Sequence, residues 1–247
     1  MISNMHDTHF KWILLISNIF SNFSTIPGHS FGINMFVKYW IEDFKISNFY
    51  ISVLWLFSCI ISGIYTSYLG KIVDKYGVRK TSCILYPLYM ICLYSMSFVY
   101  NIYIFSLIFC LIRILGPETI YTITYVSNTQ WFNKLGKVFS IINIFDTIMI
   151  STPLLINYLI QSYGWRNAFL YFTIILNILL LPNYIIIKNK TNNRVIYNNN
   201  QTIENDRSLS YKEVIRKPHY WCMISNGFLL NIINVGFMIN VIQFINI

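Results

Sequence analysis

Gly70-Lys71-Ile72-Val73-Asp74-Lys75-Tyr76-Gly77-Val78-Arg79-Lys80 is a charged, glycine-bracketed stretch set between two long apolar runs. It reads as a hinge between two membrane helices. Gly70 would let the end of the preceding helix pack closely on a neighbour. Gly77 can take the positive φ that a tight turn requires, and Asp74 is expected near the start of the next helix, where the dipole favours a negative charge. Lys75, Arg79 and Lys80 mark the cytosolic side of such a hinge.

Composition agrees with a membrane setting. The 247 residues are 55% hydrophobic and 11% charged, where a soluble domain carries about 25% charged residues. A net charge of +9 would suit a nucleic-acid partner, but the basic residues lie in short connections between apolar runs and form no basic face, so no nucleic acid is expected. The five cysteines (Cys59, Cys83, Cys92, Cys110, Cys222) fall in apolar runs without metal or redox spacing and read as packing residues. No cleavable signal peptide is expected, because the apolar run from Trp12 is too long and lacks a small-residue cleavage site.

Crossing the hydrocarbon takes about 20 predominantly apolar residues. Runs of that kind lie near 12–37, 49–69, 82–99, 102–126, 138–160 and 168–187, and a seventh begins at His219-Tyr220-Trp221 and is still apolar at Ile247. With a cytosolic N-terminus, fourteen of the 18 Lys and Arg fall on the inner side, only Lys38, Lys45 and Arg166 fall outside, and Arg113 lies within a span. The bias predicts a cytosolic N-terminus. Between the sixth and seventh runs, residues 188–218 are polar and rich in Asn at first, then read as a short surface helix from Ser210 to Lys217. That is the pattern of a disordered linker. The expected organisation is therefore all-α: a six-helix membrane bundle over 1–187, a cytosolic linker over 188–218 and a further helix over 219–247.

The Gly70 to Lys80 stretch resembles the loop signature of the major facilitator superfamily, in which a glycine, an apolar pair, an aspartate, a basic residue, a second glycine and a basic pair recur in order. Ile72, Val73 and Lys75 depart from its commonest residues but keep their chemistry. Ser30-Phe31-Gly32, Trp131-Phe132-Asn133-Lys134, Tyr163-Gly164-Trp165-Arg166-Asn167-Ala168-Phe169 and Lys212-Glu213 through Pro218-His219-Tyr220-Trp221 are similar to its monocarboxylate and oxalate/formate branch. After Lys134, Leu135-Gly136-Lys137-Val138-Phe139 replaces that branch's further basic and small residues.

The resemblance implies the N-terminal half of a transporter with two bundles joined by a cytosolic linker, and the first helix of a second bundle that is otherwise missing, as in a fragment. It implies secondary active transport of a small organic anion by alternating access, with or without protons, in the plasma membrane or an organelle membrane. The loop around Gly70, Asp74, Gly77, Arg79 and Lys80 would serve as the cytosolic gate. The alternatives are a non-transporting membrane protein or assembly partner, and a carrier of amino acids or sugars. An enzyme is not expected, nor a metal or other cofactor, since no metal cluster, nucleophile with a base, or phosphate loop is present.

Charges inside spans cost about 2.5–3.5 kcal/mol each on insertion scales, so each one demands an account. Arg113 is expected near the midplane, with Glu118 and Asp146 each about 12 Å in from the cytosolic ends of their helices. Five residues correspond to about 140° around an α-helix, which separates Arg113 from Glu118 and favours a pair between Arg113 and Asp146. That pair either locks two helices together or leaves the planar guanidinium to meet a solute carboxylate in the cavity that the resemblance places between the first and fourth spans. Glu118, next to Gly116-Pro117, is a candidate proton-carrying carboxylate. In the first span, Asn18, Asn22, His29 and Asn34 are expected to face protein or water, and His29 either binds solute or a proton, or is satisfied by an interhelical hydrogen bond. Asn22-Phe23-Ser24, Asn189-Lys190-Thr191 and Asn200-Gln201-Thr202 have the form of glycosylation sites, the first inside a span and the others in the cytosolic linker.

Overall fold

The computed structural model describes residues 2–189, 213, 215–226 and 229, with side chains from His9 onward. Every described element is helical. Two compact units divide the chain, Met1–Asn192 and Asn193–Ile247. In the second, a helical stretch covers 218–226 and the Trp221 indole N–H donates to the Ile215 carbonyl at 2.8 Å. Most of the expected linker and seventh helix lies outside the described residues.

The first unit contains α1 (Ile2–Phe23), α2 (Ser30–Phe44), α3 (Asn48–Ser97), α4 (Ile102–Arg113), α5 (Thr119–Trp131), α6 (Leu135–Met149) and α7 (Thr152–Ile186). Three continuous stretches are long and apolar enough to cross a membrane: Asn48–Ser97, the 30 residues Ile102–Trp131, and the 52 residues Leu135–Ile186. The first and third are each long enough for two crossings. Both divide at a glycine. Gly77 in α3 has φ 81° and ψ 160°, and Gly164 in α7 has φ 74° and ψ 162°, a combination essentially confined to glycine. Starts are fixed locally: the Ser47 hydroxyl accepts from the Tyr50 N–H at 3.2 Å, and the Asn101 side chain accepts from Tyr103 N–H at 2.8 Å.

The first span is not the uninterrupted helix expected over 12–37. Pro27-Gly28 breaks it, and a single turn of 3₁₀-helix, Ile26–Gly28, separates α1 from α2. The fourth span is also interrupted. Between α4 and α5 the backbone widens into one π-helical turn, Ile114–Glu118, around Pro117, whose ring cannot coexist with a regular α-helical turn. The two interruptions touch. A Cβ on Gly28 would run into the Pro117 ring, so only glycine allows this approach.

The outer surface of the bundle is apolar, with Leu56, Ile64, Ile84, Ile91, Leu107, Ile144 and Ile178 all exposed, as lipid contact requires. Inside, Trp40 packs edge-on against Phe105 and Phe109 at ring distances of 5.1 and 5.8 Å. Elsewhere the interior is polar. A chain of buried amides runs from Asn128 through Asn18 to Asn183, and the Tyr86 hydroxyl donates to Asn183 at 3.2 Å, joining α5, α1, α7 and α3. Among groups that cannot reach water, such hydrogen bonds are what holds helices in register.

Charge divides between the two ends. The Trp131 indole donates to the Lys188 carbonyl at 3.4 Å and Arg79 binds the end of α7, so Lys11, Lys71, Lys75, Arg79, Lys80, Lys134, Lys137 and Lys188 share one end. Lys38, Lys45 and Arg166 lie at the other, beside Glu42 and Asp43.

Candidate functional site

The two helix interruptions define the site, because His29, Arg113 and Glu118 sit on their rims. The π-helical turn occupies the middle of the 30-residue stretch Ile102–Trp131. His29 directly follows the break in the first span, and Arg113 and Glu118 flank and close the π turn. Beside them lies a cavity of about 360 Å³ lined by His29, Arg113, Glu118, Tyr121, Thr122 and Tyr125, with Pro117 and Val126.

The expected pairing of Arg113 with Asp146 is not the one formed. Arg113 Nη1 lies 3.3 Å from Glu118 Oε1, an ion pair within one helix. The 140° separation assumed α-helical geometry throughout. With i→i+5 hydrogen bonding in the intervening turn, residues five apart come to stand one above the other. The second Glu118 oxygen accepts from the Thr66 hydroxyl at 3.0 Å, tying the site to α3. Glu118 is thus held by a cation and a hydroxyl, an arrangement suited to a fixed counter-ion.

The ion pair does not use up Arg113. Its Nε has no hydrogen-bond partner among the described residues although it is shielded from solvent, Nη1 meets Glu118 through the ion contact alone, and the guanidinium carbon lies 5.2 Å from the centroid of the Trp55 ring. His29 is similar. Its ring stacks on Phe31 at 5.2 Å and meets Tyr121 edge-on at 5.8 Å, while Nε2 has no partner among the described residues, so the expected interhelical hydrogen bond is not formed. Unmet donors and acceptors on the wall of one cavity are uncommon in a folded interior and point to an occupant.

Asp146 stands apart from this group, on α6. Its contact is with the Asn22 amide at 3.5 Å, and Asn22 in turn accepts from the Thr124 hydroxyl at 3.2 Å. No cation pairs with Asp146 among the described residues. Asn18 and Asn22 are buried against protein, and Asn34 is exposed.

At the basic end the hinge differs from its expectation in two details. Gly70 faces open space, so no close helix contact requires it there, and Asp74 is an exposed residue of the helical turn preceding Gly77, without a partner among the described residues. Gly77 makes the turn. Arg79 does the holding: its Nη1 donates to the carbonyls of Tyr184, Ile185 and Ile187 at 2.7, 2.9 and 2.9 Å, and its N–H donates to the Asn189 side chain at 3.0 Å. These carbonyls end α7 and have no partner within the helix. Lys80 is exposed. Sequence reasoning missed this contact and the amide chain through Asn128 and Asn183. Asparagines inside apolar runs were the available signal for the latter.

A model of the Major Facilitator Superfamily matches residues 12–247, nearly the whole chain. The chain belongs to that superfamily. It is accordingly an integral membrane protein and a membrane transporter of the superfamily, whose members carry small-molecule solutes across membranes. No curated protein matches the chain. In this major facilitator the interrupted first and fourth spans meet at the cavity, and interrupted helices near mid-bundle are where transporters place their binding sites.

Proposed function

We propose that this major facilitator carries a small organic anion, monocarboxylate-like, by alternating access, with Arg113 as the cation that meets the solute carboxylate. One observation carries the reading: a guanidinium at the middle of the bundle borders a cavity of about 360 Å³ with its Nε shielded from solvent and free of hydrogen bonds among the described residues. A planar fork of donors in apolar surroundings matches a carboxylate, and the Trp55 face behind it fixes its plane. Glu118 keeps the empty site neutral, and an arriving carboxylate competes with it for Arg113. His29 Nε2 offers a further contact to the solute.

Proton coupling, where it operates, is assigned to Asp146. Glu118 already has Arg113 and Thr66 as partners, whereas Asp146 has a long amide contact and no cation, and so is the carboxyl group with room to take and release a proton. The basic end is assigned to the cytosol by the positive-inside rule, with residues 188–218 as linker and 219–247 as the start of a second bundle. The gate then lies at Gly77 and Arg79.

Uptake of a panel of labelled small carboxylates by cells expressing the protein tests this, with surface abundance measured in parallel. Arg113→Gln removes a buried charge contact of about 2–5 kcal/mol, so uptake is expected to fall about thirtyfold or more. Arg113→Gln leaves Glu118 without its cation and lowers abundance as well. The double change Arg113→Gln with Glu118→Gln is therefore the deciding variant: abundance recovers and uptake does not. Recovered uptake in the double variant would show that the pair is structural. No uptake of any solute by the unaltered protein at normal abundance would favour a non-transporting role.

A further inference from the structure

A second cavity, remote from the site above, opens at the basic end between α1 and the start of α6. It has a volume of about 270 Å³ and is lined by Lys11, Trp12, Phe132, Asn133, Lys134 and Lys137. Its floor is apolar. Phe132 and Val138 are buried, Trp12 meets Phe132 edge-on at 5.7 Å, and Lys11 Nζ lies 5.9 Å from the Phe132 ring centroid. Three lysines therefore border one concavity, and no carboxylate pairs with any of them among the described residues.

Two further features share the same mouth. Helix α6 begins at Leu135, and Lys134 at its N-cap supplies no side-chain acceptor, so the first N–H groups of a 15-residue helix add positive potential beside the lysines. Trp12 and Trp131 both border the cavity, and tryptophan at the end of a membrane helix is characteristic of the headgroup layer. Ordinary positive-inside lysines would project singly into solvent. Here three border one pocket with an aromatic floor, Lys134 and Lys137 exposed at its mouth, open to a partner that is anionic at one end and apolar at the other.

We propose that this cavity binds the phosphorylated headgroup of an anionic lipid, of phosphoinositide type, from the leaflet at the basic end. Three point charges suit a headgroup carrying phosphate monoesters, and basic pockets between membrane helices bind such headgroups. The lipid would tie α1 to the connection preceding α6, and the tryptophan rings would lie along its glycerol and upper acyl region.

Phosphatidylinositol bisphosphate, phosphatidylcholine, inositol trisphosphate and inorganic phosphate are added separately to the purified full chain in detergent, and the melting midpoint is followed as each is titrated. The bisphosphate lipid is expected to raise the midpoint and phosphatidylcholine to leave it unchanged. The double variant Lys134→Gln with Lys137→Gln should bind the lipid about thirtyfold more weakly, about 1 kcal/mol being lost per lysine. Lys38→Gln, which changes an exposed lysine at the opposite end, should bind it as the unaltered protein does, which ties binding to this cavity and not to loss of positive charge as such. Equal lipid affinity in the lysine variant and the unaltered protein overturns the proposal. So does stabilisation by inorganic phosphate or inositol trisphosphate at the lipid's own concentration, since the site would then serve a soluble anion.

Discussion

Two corners of the bundle share one design and differ in how firmly they hold. At the basic end, Gly77-Val78-Arg79 turns α3 back on itself; at the opposite end, Gly164-Trp165-Arg166 does the same for α7. In each, a glycine at positive φ breaks the helix, the next residue is buried, and the arginine caps another helix. The capping is reciprocal. Arg79, opening the second half of α3, binds the carbonyls that end α7, and Arg166, opening the second half of α7, binds the Ser97 and Val99 carbonyls at the end of α3, at 3.3 and 2.6 Å. The two half-helices thus run antiparallel, each clamped at its C-terminus by the other's arginine, where the dipole favours a cation.

The clamps are unequal. Arg166 also donates to Asp43 at 2.6 Å and lies between the Tyr100 and Trp165 rings at 4.2 and 4.4 Å. Arg79 has no carboxylate and no ring against it among the described residues. A single nitrogen, Nη1, serves three carbonyls, though it carries only two hydrogens to share among them. Nearly equal hydrogen bonding is therefore joined to a caged ion pair at one end and to an exposed Asn189 contact at the other. The end with the weaker clamp is the one proposed as the cytosolic gate, where contacts must be released and remade in each cycle.

The largest expected effect tests this inequality. Arg166→Ala removes two charge-assisted bonds to carbonyls, two ring contacts and the partner of Asp43, about 3 kcal/mol or more. The half-exposed ion pair contributes little of that. Arg79→Ala removes contacts through one terminal nitrogen, about 2 kcal/mol. Melting midpoints of the two purified variants in detergent should both fall, with Arg166→Ala the lower. Equal midpoints would show that the rings and Asp43 add nothing.

The glycines should rank the other way. Gly77→Ala and Gly164→Ala each force a side chain into a conformation costing about 1–3 kcal/mol. A Cβ at Gly164 meets nothing within 4 Å, whereas one at Gly77 would strike the Asn189 amide. Gly77→Ala is therefore expected to be the more damaging, and adding Asn189→Ala should remove its excess over Gly164→Ala. If the excess persists in the double variant, the collision is not its cause.

Much of this was legible in the chain. Glycine within a charged stretch announced the Gly77 break, and the charge bias anticipated the gathering of basic residues at one end. The Tyr163 to Phe169 stretch was singled out for its likeness to one branch, yet its parallel with Gly77-Val78-Arg79 went unread. The partners of each arginine lie more than sixty residues away, and no local pattern encodes such reach. The central ion pair was hidden for a different reason. Angular arithmetic holds only while the helix keeps its period, and Gly116-Pro117 signalled a disturbance without saying that the turn would widen and bring Glu118 over Arg113. Similarly, Pro27-Gly28 lay inside an apolar run long enough to pass for one helix.

Asn189 provides the smallest and most local test. Its side chain accepts from the Arg79 N–H at 3.0 Å and lies against Gly77, so it braces the weaker clamp from the chain leaving α7. The bond is exposed, and Asn189→Ala is expected to lower the melting midpoint by less than Arg79→Ala does, about 1 kcal/mol. Asn189-Lys190-Thr191 is also a potential glycosylation site, and a glycan on this amide would occupy the space beside Gly77. With the basic end in the cytosol, neither Asn189 nor Asn200 meets the glycosylation machinery. Expression in microsomes followed by glycosidase treatment should therefore give no mobility shift. A shift that disappears in Asn189→Gln would place the basic end in the lumen and leave the Arg79 corner without its brace, overturning both the orientation and the assignment of the weaker clamp to the cytosolic gate.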